Sequence, residues 1–150
     1  MLPFASDITT EAIDAAVRPI VGRPYRRGGR GPDAFDCVGA FLAVFRAFGV
    51  ELPDPADGPE AIEETRRRFD EIEDLAGLEP LDVVLRRGAL PVASASSVEP
   101  GNSREPDLVV YLGGRRVLRA VHGGRVVRSP DTMYRASLAR GFRLRGGVDG

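Results

Sequence analysis

From residue 81 onward the chain changes texture, and that change restricts its fold more than any other feature. The segments LDVVL (81–85), DLVVYL (107–112), RVLRAV (116–121), RVVRS (125–129) and FRLR (142–145) are short and rich in branched residues. Glycine pairs separate several of them, as expected of strands in an antiparallel meander. Before residue 81 the apolar residues recur at helical spacing instead. Helices first and strands after define an α+β chain, with the helical part packed on a small antiparallel sheet.

The helical part has three expected elements. Ile13, Ala16, Val17 and Ile20 follow Thr9 and Thr10, either of which can cap a first helix, and Pro19 ends or kinks it. Val38, Phe41, Leu42, Phe45 and Phe48 form one apolar face of a second helix, and Gly49 is placed to end it. Asp57, Pro59 and Glu60 make a third start, with Asp57 as the cap. The run that follows, EAIEETRRRFDEIEDLAG, offers Ile62, Phe69 and Ile72 amid alternating charge, the pattern of a solvated helix with a narrow buried stripe. Glu71, Glu73 and Asp74 are read as solvated charges of that helix. Between residues 88 and 106, serine, proline and small residues show no clear period, which predicts a long surface loop.

With 150 residues, 43% hydrophobic and 29% charged, residues 1–150 fit a single domain with a real core. A net charge of −1 argues against nucleic acid as a partner. One cysteine and one histidine cannot build an internal disulfide or a cysteine-based zinc site, so no metal and no cofactor is expected. The opening MLPFASDITTEAIDAAV lacks the basic and apolar regions of a secretory signal, and no run reaches membrane-spanning length. The expectation is a cytoplasmic protein with no membrane partner. Release by another route, such as assembly into a larger particle freed by lysis, would leave no mark on the sequence.

The lone cysteine, Cys37, lies where the second helix begins. A lone cysteine is commonly a small buried hydrophobe. A helix start, however, presents unsatisfied amides and the positive end of the macrodipole, both of which favour a thiolate. Asp36 is placed to cap the helix, and Gly39 lets another chain or a ligand approach closely. Just upstream, Arg26, Arg27 and Arg30 form either a positive rim or an ordinary solvated loop. GGRG in that loop is no phosphate loop, because no lysine followed by serine or threonine opens a helix after it.

GRPYRRGG, DAFDCVGAFLAVFRAFGVELP, LEPLDVVLRRG and DLVVYLGGRRVLRAVHGGRVVRSP, taken in order, resemble the NlpC-type cysteine peptidases, papain-like enzymes that cut the peptide stems of bacterial cell wall. The similarity runs from about residue 11 to about residue 145. It implies a papain-like fold with a peptide or peptidoglycan fragment as ligand. Cys37 falls on the family nucleophile, Asp36 on the neighbouring acid that shapes the substrate site, and Tyr25 on a tyrosine that lines it. Tyr25 reads equally as a partly buried ring, and Asp36 as a simple helix cap. The closing SPDTMYRASLARGFRLR is similar to forms found in phage tails and related particles.

The resemblance breaks at the base. Typical members read HVGIYLG where this chain reads DLVVYLG, so Asp107 stands in place of the histidine. Arg119 occupies the position of the second polar residue, on the next strand, that orients the base. A positioned base contributes about 10²–10⁴-fold. Asp107, with an ordinary value of about 4, is a poor proton acceptor at neutral pH, and Arg119 cannot shuttle a proton. A negative Asp36 beside Cys37 would also oppose ionisation of the thiol. His122 is the one imidazole able to restore acid–base chemistry, with Asp107 orienting it, if the hairpin register brings residue 122 to residue 107. A histidine before two glycines is otherwise an exposed turn residue.

Three functions follow. The first is a divergent family member of low or no activity that binds cell-wall-type peptides or serves as a structural module. The second is an active peptidase or amidase using Cys37 and a relocated His122. The third is a structural component of a phage tail or related particle.

Overall fold

The computed structural model describes residues 9–86, 107–131 and 139–145. Helix α1 (Thr10–Val17) begins at Thr9, whose side chain accepts from the Ala12 amide at 3.1 Å. Helix α2 (Cys37–Ala47) is capped by Asp36 and ends in a Schellman turn. There the Val50 amide reaches the Phe45 carbonyl and the Gly49 amide the Arg46 carbonyl, both at 2.9 Å. Gly49 has a φ of 83°, which only glycine adopts without strain. Residues 13, 17, 20, 41, 42, 45 and 48 of the two expected apolar faces are buried.

The third helix departs from expectation. Helix α3 spans Pro59–Arg67 and starts at Gly58 with no side-chain cap. Asp57 belongs instead to a 3-10 turn over Pro55–Asp57, capped by Asp54. The charged run does not continue as helix, because Phe69–Ile72 forms strand β1. Phe69 and Ile72 therefore share no stripe with Ile62, which is 42% exposed. Glu71 is not a helix charge; it pairs with Arg140 at 2.9 Å, and Asp74 caps a second 3-10 turn, over Leu75–Gly77.

The remaining strands are β2 (Val83–Arg86), β3 (Asp107–Gly113), β4 (Arg116–Ala120), β5 (Val126–Pro130) and β6 (Ala139–Leu144). The five strand segments read from the sequence all form strands, but not a simple meander. The six-stranded sheet has the order β1-β6-β2-β3-β4-β5, and every neighbouring pair is antiparallel. The last strand thus returns between the first two. β1 exists because β6 brings arginines to its acids: Arg145 meets Asp70 at 2.7 Å while Phe69 pairs with Leu144. The stretch expected to be a long loop, 88–106, lies outside the described residues.

Alternation gives the sheet two apolar faces. Val110, Leu112, Leu118, Ala120 and Val126 join the main core with α1 and α2. Val84, Val109, Tyr111 and Val117 form a smaller cluster with Leu78. Phe41, Phe45 and Phe69 interlock in the main core, with ring centroids 5.2 to 6.1 Å apart. This packing sets the axis of α2 across β3 and β4, and so fixes where Cys37 begins it.

Because Phe69 is buried by a strand and Ile62 stands on an open helix face, the two substitutions to alanine should differ sharply. Phe69→Ala is expected to lower unfolding free energy by about 3–5 kcal/mol. Ile62→Ala should stay within about 0.5 kcal/mol of the parent. Urea denaturation of both variants checks this.

Candidate functional site

The start of α2 is held by a loop folded under it. Asp36 is 5% exposed and each of its oxygens is used. Oδ1 accepts from the Gly39 amide at 2.7 Å and from Arg30 Nη1 at 2.8 Å, and Oδ2 accepts from the Gly28 amide at 3.0 Å. Arg30 then turns its remaining donors on Asp54, Nε to Oδ2 at 2.7 Å and Nη2 to Oδ1 at 3.1 Å. The loop of residues 28–30 is thus clamped between a helix N-terminus and the 3-10 turn at Asp54. The Arg30 guanidinium, bonded to Asp54, holds that carboxyl below its ordinary value.

Gly39 permits the clamp. A Cβ there would overlap the carbonyl oxygen of Gly29, which also accepts from the Asp36 amide at 3.1 Å. The close approach anticipated at Gly39 is therefore made by the chain's own loop. Of the three upstream arginines, Arg30 is drawn into the clamp, whereas Arg26 and Arg27 are exposed. Asp54 was not anticipated as a member of this cluster. Its one local signal, an aspartate before a proline, marks a turn and says nothing about a partner 24 residues upstream.

Cys37, the first residue of α2, is 8% exposed and belongs to the main core. The segment before it, at Phe35, bridges to Tyr25 and Arg30. Pro24 in turn bridges to Arg125, and the Tyr25 amide donates to the Gly124 carbonyl at 2.9 Å. Backbone pairing therefore carries the turn of residues 121–124 to the strand that leads into Cys37. In that turn the Gly124 amide meets the Val121 carbonyl at 2.8 Å, and Gly123 has a φ of 78°. His122 sits exposed at its corner with its ring 4.8 Å from that of Tyr25, tilted by 43°.

Tyr25 and His122 are thus brought together, on a segment joined to the approach to Cys37. Asp107 is the first residue of β3, opposite Arg86 in β2. The β3–β4 ladder pairs Val110 with Leu118, and its continuation sets Asp107 level with Val121, one residue short of His122. β4 itself stops at Ala120, and the Val121 amide closes the β4–β5 hairpin on the Arg125 carbonyl. Arg119 alternates with Leu118 and Ala120, which face α2, so it lies on the sheet face of Val117, away from the helices. Among the described residues no group of three His, Cys, Asp or Glu side chains is arranged to hold a metal ion.

Two measurements test the clamp. In an ordinary helix interior, glycine to alanine stabilises by about 0.5–1 kcal/mol. Here the sign should reverse, with Gly39→Ala lowering unfolding free energy by about 1–3 kcal/mol, as overpacking does. Asp54 adds stability above the usual aspartate value of about 3.9 and loses it as pH falls through its own, lower value. Asp54→Asn should therefore cost at most about 1 kcal/mol at pH 7, since the pair is partly open to solvent. It should also shrink the decline in thermal midpoint between pH 4 and the acid limb.

Comparisons with known proteins bear on the fold and the family. No curated protein sequence matches the chain. Among solved structures it is similar to NlpC1 from Trichomonas vaginalis, at 20% identity and a TM-score of 0.62 over 90% of this chain and 43% of that one. It is also similar to the NlpC/p60 domain of the peptidoglycan hydrolase SagA, at 18% identity and a TM-score of 0.59 over 89% of this chain and 97% of that one. An NlpC/P60 family protein from Bacillus cereus ATCC 10987 matches at 17% identity and a TM-score of 0.62, over 95% of this chain and 41% of that one. The chain spans about half the length, or less, of several of these proteins, NlpC2 from Trichomonas vaginalis among them. These likenesses establish the papain-like α+β fold. The family model for NlpC/P60 matches residues 22–143, from the turn before Tyr25 to the next-to-last residue of β6, and the chain belongs to the NlpC/P60 family.

Proposed function

We propose that this chain is a divergent NlpC/P60 member that binds cell-wall-type peptides with little or no hydrolase activity. The observation that carries the reading is the residue opening β3: it is Asp107, which the resemblance to the family motif sets where typical members have a histidine. Cleavage of an amide through a thiol needs a group that takes the thiol proton and later gives one to the leaving amine. A carboxylate of ordinary acidity does neither well near pH 7. The peptide ligand is suggested by the family and by SagA, whose structure is that of a peptidoglycan hydrolase. In this reading Tyr25 contributes an aromatic wall for the ligand, while Asp36 shapes the site indirectly by holding the loop under α2.

A second reading has an observation of its own. His122 packs on Tyr25, and Tyr25 belongs to the segment paired with the approach to Cys37. In that reading Cys37 is the nucleophile, His122 the base and Asp107 its orienting acid. The bond cleaved would be an amide of a stem peptide, passing through a thioester on Cys37. A helix-start amide would hold the oxyanion. A role in a phage tail or related particle draws only on the closing segment, of which residues 132–138 lie outside the described residues.

Incubation of the full chain with peptidoglycan stem peptides, followed by chromatography and mass spectrometry, separates the two readings. The expected result is no product above that formed with Cys37→Ala. Product that disappears in both Cys37→Ala and His122→Ala establishes the enzyme and overturns the proposal.

A further inference from the structure

Charge is distributed unevenly across this fold in a way that the net value of −1 conceals. Residues 15–32 contain five arginines and no acid, and residues 108–130 contain five arginines and no acid. Residues 51–82 hold twelve acids against three arginines. The sheet order turns these runs into a spatial gradient. β1, from the acidic run, is one edge, and β5, from the basic run, is the other. The first basic run lies against the β5 edge, where Pro24 bridges to Arg125, the Gly22 amide donates to the Val126 carbonyl at 2.8 Å, and the Val126 amide donates to the Arg23 carbonyl at 2.9 Å.

The two edges also differ in how far their charge is neutralised. At the acidic edge β6 supplies the counter-ions: Arg140 to Glu71, Arg143 to Asp82 and Arg145 to Asp70. At the basic edge Arg128 meets Asp14, but Arg23, Arg26 and Arg125 have no acidic partner among the described residues. All three are exposed. Arg23 donates to the Pro19 carbonyl and Arg125 to the Gly22 carbonyl, bonds that steady the side chains without cancelling their charge. The three flank Tyr25 and His122 on the backbone segments that lead to Cys37. Clustered like charges repel one another and add no stability to the folded chain, so their accumulation beside the candidate site points to an anionic occupant.

We propose that Arg23, Arg26 and Arg125 form a carboxylate-reading rim that selects peptides bearing two or more free carboxylates over the same peptides with those groups amidated. This rests on the peptide-binding reading and names the feature of the peptide that is recognised. A carboxylated peptide is favoured over a nucleic acid as the occupant. The rim is short and local, and the acidic run elsewhere on the molecule would repel a long polyanion.

The test is titration calorimetry of the full chain with four probes at low salt and at 0.3 M salt. These are a stem tetrapeptide with free carboxylates, the same peptide with its carboxylates amidated, a hexaglutamate peptide and a short DNA duplex. The measurement is repeated on Arg23→Gln/Arg26→Gln and on Arg23→Glu/Arg26→Glu, each first shown to keep the parent thermal midpoint. The expected result is stem-peptide binding about tenfold tighter with free than with amidated carboxylates. That preference should fade at high salt and be lost in both variants. Equal binding of free and amidated peptide overturns the rim and leaves the peptide-binding reading standing. Salt-sensitive binding of hexaglutamate without either stem peptide supports the rim and overturns the stem-peptide reading. Binding of DNA alone, or of no probe, overturns the rim.

Discussion

The start of α2 and the loop beneath it hang from the carboxylate of Asp36. A helix begins with amides that have no partner inside it, and here one of them, at Gly39, is satisfied by Asp36 Oδ1. A buried carboxylate that only capped a helix would leave its charge poorly compensated. Arg30 supplies the compensation and is itself oriented by a two-pronged contact with Asp54. The result is a loop pinned under the helix so closely that Gly39 has no room for a side chain. Cys37 and Tyr25 take their places from this arrangement, one at the helix start and the other on the segment that bridges to Phe35.

The clamp changes the electrostatic expectation for the thiol. Read from the sequence, Asp36 is a bare negative charge next to Cys37. In the fold that charge is bonded to Arg30, which also bonds Asp54, so the three groups together carry one negative charge. Proton transfer, the harder requirement, depends on what lies across from the helix start. In the proposed reading the base is missing because Asp107, rather than a histidine, opens β3. His122 is near in a topological sense, through Tyr25, yet it belongs to a turn rather than to the ladder.

Features decided by local chemistry were the ones readable in advance. Thr9 and Asp36 cap their helices as hydroxyl and carboxylate groups do, Gly49 ends α2, and the branched segments pair as strands. What failed was decided by residues distant in sequence. FDEI has the i, i+3 spacing of a helix face, and only the arrival of β6 some 70 residues later, with Arg140 and Arg145, makes it an edge strand. Asp57 has the composition of a cap, but Asp54 holds the turn before it and Gly58 takes the junction. At the site, the motif singled out Cys37, Asp36 and Tyr25, and the fold sets Asp36 as the cap of α2 and Cys37 as its first residue. The Arg30–Asp54 bridge and the filling of the Gly39 notch by Gly29 could not, since both are tertiary contacts without a periodic trace.

The proposed lack of activity requires that no imidazole share a proton with the Cys37 sulfur. Thiolate absorbance near 240 nm, followed from pH 5 to pH 11 on the parent chain and on His122→Ala, tests it most directly. Superimposable titration curves are the predicted result. A midpoint that moves by a unit or more when His122 is removed would mean that the ring and the thiol share a proton, and the account would be wrong.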